Sequence, residues 1–470
     1  MSSAPVNEII QRIASSHPGY LEFRFHNRSV RSLGVRKGEL NDNSFKRIAG
    51  AGVRVLLDGA WGFSSTSDVS QNGIEQAVQR ATELARSTAS RKKEKSSLAE
   101  SDRLARGEFN LDGYFDLQSM GLEEKFEAVR KSEEDLRKSS SSIETAVCQY
   151  TEVFEEKYIF TTDGSDCWVR LVRPELRFVA YAGDGSKLSR GYDSVGATGG
   201  WTCLFQNRPL EGYIETAARS AHELLSAPGA EGGRKKVILS PAMVGLLSHE
   251  AIGHTVEADF VQAGSVARGK IGEMVASPLV TLCDSGISEY VPNAGGELPV
   301  DDEGVLTERT VIIEKGELKN YLHNRESAHR FETRPTGNAR AWEFSDEPLI
   351  RMRNTYIAPG NDSLDDMISG IDDGYFIDGP EGGQADATGE FMFGASRVRR
   401  IKNGRLAETV QKVTVSGNAF DVLKSIDAVS TDFRWDLGSG HCGKGQLAKV
   451  DAGGPYLRCD LLVGGSQAAG

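Results

Sequence analysis

The 470-residue chain contains no run of about 18 apolar residues, so a membrane-spanning helix is not expected. Its first residues, MSSAPVNEIIQRIASSHPGY, lack a basic start followed by an apolar block; no secretory signal is expected, and the cytoplasm is the expected compartment. Cysteine pairs are missing as well. Cys148, Cys167, Cys203, Cys283, Cys442 and Cys459 are scattered without a C-x-x-C spacing, which fits reduced thiols rather than a disulfide framework. Positive charge is in deficit, with 55 Lys and Arg against 67 Asp and Glu, a formal net charge of -12. Phosphate binding needs a concentrated positive surface, so nucleic acid is not an expected partner. No G-x-S-x-G string marks a serine nucleophile elbow, and YAGDGSKLSRG lacks the spacing of a phosphate loop.

What is present divides into two halves, at a length that suits two or three domains. In the first, LEFRFH alternates apolar and polar residues, with Leu21, Phe23 and Phe25 on one face, and GVRVLL runs into a turn at Asp58-Gly59. A helix is expected next, with Ile74, Ala77, Val78, Ala81, Leu84 and Ala85 as its apolar stripe. Strands around YIFTTDG, CWVRLV and ELRFVAYAGDG, then a helix with Ile214, Ala217, Ala218, Ala221 and Leu225, repeat that order and suggest an internal duplication. Between the copies, RSTASRKKEKSSLAESDRLAR reads as a solvated helix end or mobile loop. The Gly-rich stretch SAPGAEGGRKK marks the expected boundary.

Beyond it the chain is strand-rich. VIIEKGELKNYLH and SRVRRIKNGRLAETV, the latter with an Asn403-Gly404 turn, read as hairpins, and KVTVSG and YLRCDLLVGG as further strands. The expected fold is α+β: an N-terminal αβ domain over 1–230 with duplicated hairpin–helix units, and a C-terminal strand-rich domain over 231–470 carrying one long helix. That helix begins after the strand KKVILS, with Ser240 as N-cap and Pro241 as first residue, and extends to about 259.

The helix carries His249-Glu250 and His254, an H-E-x-x-x-H string. Residues four apart on a regular helix lie about 40° apart in azimuth, whereas residues five apart diverge by about 140°. A single metal could be shared only across a one-residue π-bulge, and Gly253 is the residue least opposed to that distortion. Elsewhere, His323 and His329 are six apart and suit no shared metal. His17, His26 and His222 lack partners at ligand spacing, and Cys459 alternates with Leu457 and Leu461 in a core pattern.

HEAIGHTVEADF, DDEG (301–304), PTGNAR (335–340), PLIRMRNTYIAPG (348–360), GGQAD (382–386) and CGKGQ (442–446) together resemble the TldD subunit of the TldD/PmbA (TldE) family. The resemblance implies a zinc-dependent peptidase acting on unstructured peptides or unfolded protein segments, with a PmbA/TldE-like partner subunit or a homodimer. It implies His249, His254 and Cys442 as Zn²⁺ ligands; on position in this chain, Glu257, three residues after His254, and His441, next to Cys442, compete for the third place. Two imidazoles and a thiolate leave a fourth zinc position open, and Glu250 is the expected general base. The alternative within the same family is a non-catalytic binding or regulatory protein.

Overall fold

The computed structural model describes residues 5–465; residues 1–4, at the start of the stretch searched for a secretory signal, and 466–470 lie outside the described residues. Two units of one element order build the first half. The helix Val6–Ala14 precedes the strands Tyr20–Arg36, Glu39–Leu57 and Ala60–Thr66 and the helix Gln71–Ala89. The helix Leu122–Lys138 likewise precedes the strands Ile143–Thr161, Asp166–Gly183 and Leu188–Gly196 and the helix Leu210–Ser226. The two three-stranded meanders join through antiparallel pairing of Tyr20–Arg36 with Ile143–Thr161, and the short strand Arg106–Asn110 completes a seven-stranded sheet. One contact repeats in both units. A Cβ on Gly62 would stand 2.0 Å from the Ala81 carbonyl oxygen, and a Cβ on Gly191 would stand 1.9 Å from that of Ala217. Only glycine lets the third strand of each unit lie so close to its helix.

Several boundaries differ from the sequence expectation. Asp58 (φ 50°) and Gly59 (φ 74°) turn the chain into the strand Ala60–Thr66 before the helix begins. On that helix Ile74, Ala77, Val78, Ala81 and Ala85 are buried, but Leu84 is 49% exposed because it lies beyond the edge of the stripe that meets the sheet. CWVRLV and ELRFVAYAG form one strand, since pairing to Ile143–Thr161 continues through Pro174, opposite Glu152. The polar stretch after Ala89 is docked rather than mobile. Ser96 Oγ donates to Glu326 (2.6 Å), the Ala99 N–H to the Arg325 carbonyl (3.0 Å) and Arg103 Nη2 to the Pro335 carbonyl (2.7 Å), partners too distant in sequence for local composition to reveal.

Strand alternation sends two kinds of side chain to opposite faces of this sheet. Leu21, Phe23, Val53 and Val55 pack beneath Ile9, Ile10, Ile74 and Ala77. Glu22, Arg24, His26, Arg28 and Arg54 face the other way and are buried too. Their partners come largely from the second half. Arg54 binds Glu22 (2.7 Å) and Glu303 (2.8 Å), Lys157 binds Asp302 (2.8 Å), and Arg24 donates to the Asp346 carbonyl (2.6 Å). The DDEG stretch is therefore part of the join between the halves. Among charges this buried, removing one partner strands the other, so the pairs fix how the halves meet rather than supply net stability.

In the second half, Gly233–Leu239, Leu457–Gly464, Val413–Asn418, Glu390–Lys402 and Asp373–Ala385 pair in turn, and the last pairs again with the first, closing a ring. Both expected hairpins are present, Arg309–Glu314 with Glu317–Leu318, and Glu390–Lys402 with Arg405–Val410 across Asn403 (φ 48°) and Gly404 (φ 72°). The helix from Pro241 touches the ring at Asp373–Ala385 and a six-stranded sheet at Asp451–Gly454. Met243, Val244, Leu247, Ala251 and Ile252 join the main core there. Among the described residues no helix is long and apolar enough to cross a membrane.

Candidate metal centre

Ser240 caps the metal-site helix by accepting from the Met243 N–H (3.4 Å), and Pro241 begins it. The segment is regular only to Leu246. Leu247–Gly253 is π-helical, and the His254 N–H bonds the His249 carbonyl five residues back. That wider turn brings the two imidazoles to the same side, with ring centroids 5.3 Å apart. The role of Gly253 differs from the expectation. Its φ of -54° suits any residue, but a Cβ there would stand 1.8 Å from Met352 Sδ. Close approach of Met352, not backbone freedom, requires glycine. Gly253→Ala should therefore cost about 1–3 kcal/mol through overpacking, read as a lower Tm of the metal-free protein; an unchanged Tm would remove this account.

The expected long helix also stops early. After a 3₁₀ turn, His254–Val256, the backbone is extended at Glu257 (φ -65°, ψ 125°) and a separate helix, Ala258–Ala263, follows. Leu322 takes up the freed backbone groups, donating to Val256 (2.9 Å) and accepting from Ala258 (3.0 Å). The break turns the Glu257 carboxylate back onto His254 Nδ1, at 3.2 Å, in a fully buried position.

Cys442 reaches the same place from the other end of the chain. It lies on the ribbon His441–Lys444 paired with Gln446–Lys449. Arg351 fastens this ribbon by donating to the Cys442 carbonyl (2.7 Å) and the Gln446 carbonyl (2.8 Å). In the run Ile350-Arg351-Met352-Arg353, Met352 thus rests on Gly253 while Arg351 holds the ribbon, so one short segment between two strands sets the helix against the cysteine.

The Cys442 Sγ is 3.2 Å from His254 Nε2, and the ligand atoms of His249, His254 and Cys442 all lie within 4.8 Å of one another. Neither ring nitrogen of His249 has a hydrogen-bonding partner among the described residues, although both are buried. Buried polar atoms are rarely left so, and a bound cation would satisfy one of them. Burial opposes ionisation of the Cys442 thiol, but the neighbouring His249 and His254 outweigh it and pull the thiol down to about 4. For His254, burial is outweighed by Cys442 and Glu257, which raise it to about 10. A thiolate and two imidazoles fit a zinc-like ion.

Glu250 stands at the mouth of the cluster, 27% exposed, with Oε2 3.8 Å from His254 Nε2. His441, the competing ligand, is elsewhere, packed edge-on against Trp342 and 3.9 Å from Glu175. His323 is buried on Ser327 Oγ at 3.0 Å, and Cys459 is core. One residue escaped the sequence reading. Lys444 donates to Glu257 (2.8 Å), Asp259 (2.8 Å) and the Ile350 carbonyl (3.1 Å). The signal for it was strand alternation, which puts Lys444 on the same face as Cys442. Burial opposes the Glu257 carboxylate, but His254 and Lys444 hold it below its usual range.

A buried thiolate and imidazole pair beside a partly open carboxylate is the donor set of a metal-dependent hydrolase. Models described as PmbA/TldA metallopeptidase domain 1, central domain and C-terminal domain match residues 21–85, 115–225 and 232–465. A metalloprotease of Methanothermobacter thermautotrophicus is 33% identical over 95% of this chain and 96% of its own. A zinc metalloprotease TldD homolog of Saccharolobus solfataricus is 28% identical over 88% of this chain and 90% of its own. The crystal structure of TldE from Thermococcus kodakarensis superposes with a TM-score of 0.80 at 20% identity, covering 98% of this chain and 99% of that one, which speaks to the fold. The chain belongs to the PmbA/TldD metallopeptidase family.

Proposed function

We propose that the chain is a TldD-like catalytic subunit that uses zinc to hydrolyse peptide bonds in unstructured peptides or unfolded protein segments. The observation that carries this reading is the convergence of His249, His254 and Cys442 within 4.8 Å, with Glu250 at the opening. With Glu257 accepting from His254 Nδ1, Nε2 would present its lone pair to a bound ion in place of the proton it shares with Cys442 in the metal-free cluster; Lys444 donates to Glu257. Bound zinc would supply Lewis-acid polarisation of the scissile carbonyl and acidify water. Glu250 takes the proton from the attacking water and returns it to the leaving amine.

The chain is taken as two domains, 1–230 built on one seven-stranded sheet and 231–470 built on a six-stranded and a further seven-stranded sheet. The substrate is held as an added strand, because main-chain hydrogen bonds give affinity with little side-chain preference. A PmbA/TldE-like partner, or a second copy, encloses the site, and the cytoplasm is the working compartment. Treating the protein with a chelator should abolish cleavage of an unstructured peptide, and about one equivalent of zinc should restore it. Cleavage that survives complete metal removal would point to Cys442 as a thiol nucleophile instead. No cleavage with zinc and partner present would leave a binding or regulatory protein.

A further inference from the structure

A cavity of ≈ 470 Å³ lies between the two halves. Tyr192, Asp193 and Tyr213 line it from the first half, and Ser240, Asp378, Arg397, Arg434, Asp436 and Tyr456 from the second. None of the metal-cluster residues lines it. Ser240 is the start of the metal-site helix, and about nine residues at 1.5 Å each put the cavity roughly 13 Å from His249 along that helix.

Charge in this cavity is only partly paired: among the described residues Arg219, Arg434 and Asp436 line it without an ion pair. Asp193 accepts from Arg208 (2.8 Å), and Asp378 accepts from Arg397 (2.8 Å) and Ser240 (2.6 Å). Arg434 gives a single side-chain hydrogen bond, to the Tyr456 hydroxyl at 3.1 Å. The Asp436 carboxylate makes no hydrogen bond or ion pair among the described residues; it feels its neighbours only through space. Burial raises its carboxyl to about 6, opposed by Arg434 and reinforced by Asp378 and Asp193. A bound cation would relieve that unfavourable setting.

Arg434 and Asp436 flank Trp435, so in extended chain their Cα atoms lie about 6.6 Å apart with both side chains on one side. Among the described residues no hydrogen bond joins the two side chains, and Arg434 bonds the Tyr456 hydroxyl instead. A molecule whose ammonium and carboxylate each reach a partner at about 2.8–3.0 Å spans the gap. Tyr192, Tyr213, Phe376 and Tyr456 offer aromatic surface for a side chain beside the charges.

We propose that this cavity binds a zwitterionic α-amino acid or short peptide with free ends, its ammonium on Asp436 and its carboxylate on Arg434. The source of such a ligand rests on the peptidase reading, since hydrolysis releases these molecules; the binding itself does not. The test uses metal-free full-length protein and calorimetric titration with L-leucine, L-leucyl-L-leucine, N-acetyl-L-leucine and L-leucinamide. Leucine or leucyl-leucine should bind, and whichever is tighter identifies the natural length. Each blocked derivative should bind about tenfold or more weakly, as expected on losing a charged hydrogen bond. Asp436→Asn should weaken leucine by a similar factor and leave N-acetyl-leucine unchanged; Arg434→Gln should do the same with respect to leucinamide. Absence of binding, equal binding of the blocked compounds, or binding seen only after zinc is restored would each overturn the proposal. Binding by a protein that cleaves no peptide would uphold the cavity while the peptidase reading fell.

Discussion

Glu250→Gln is expected to abolish peptide cleavage while leaving both zinc and substrate bound. Glutamine keeps the shape of glutamate and can still hydrogen-bond the attacking water, but its amide cannot accept the proton that the water loses. The position suits the role. Glu250 is the cluster's most open member, and its Oε2 lies 3.8 Å from His254 Nε2, beside the three converging side chains of His249, His254 and Cys442 without being one of them. Loss of a general base costs about 10²- to 10⁴-fold in turnover, and a carboxylate that also serves the leaving amine should sit toward the upper end. The measurement is hydrolysis of an unstructured peptide with the partner subunit present, beside zinc content and peptide affinity of the same variant. Wild-type turnover would sink the mechanism. Loss of zinc would instead make Glu250 a support for the ligands.

Cys442→Ser should cost zinc affinity on the order of a hundredfold or more, because changes to groups that merely orient a ligand already cost about 10- to 100-fold. Serine at neutral pH is a protonated hydroxyl, whereas the thiol here is pulled down to about 4 by two imidazoles. The fold should survive, since Arg351 grips the ribbon through the carbonyl of residue 442 rather than its side chain. Competition with a zinc-sensitive chelating dye reads the affinity directly. Retained affinity would pass the third place to Glu257, the only competing group that contacts His254. His441 is too far removed, against Trp342.

The site was legible in the sequence to the extent that its geometry is local. Five-residue spacing on a helix demands a π turn, and Leu247–Gly253 is π-helical. The break at Glu257 was not legible, because the groups that satisfy it belong to Leu322 and Lys444, far along the chain. Gly253 shows the same limit. Its neighbour across the core is Met352, so the reason for a glycine is a contact that no local pattern encodes. In the first half, the repeated order of strands and helix was readable from alternation and apolar stripes. The closed ring of strands in the second was not, since it depends on which strand edges meet. The charged face of the N-terminal sheet reads from alternation as a solvent face, yet Glu22, Arg24 and Arg54 are buried against the second half.

That charged join gives the molecule an unusual response to its surroundings. Salt screens exposed charges over a Debye length of about 8 Å at physiological ionic strength, but buried pairs are screened far less. With Arg54, Glu22 and Glu303 at 7%, 3% and 1% exposure, added salt has little to act on. Temperature acts in the opposite sense to its effect on surface order. The cost of keeping ions out of water falls as water warms. The contact between the halves is therefore most costly in the cold and least costly near the upper end of the working range.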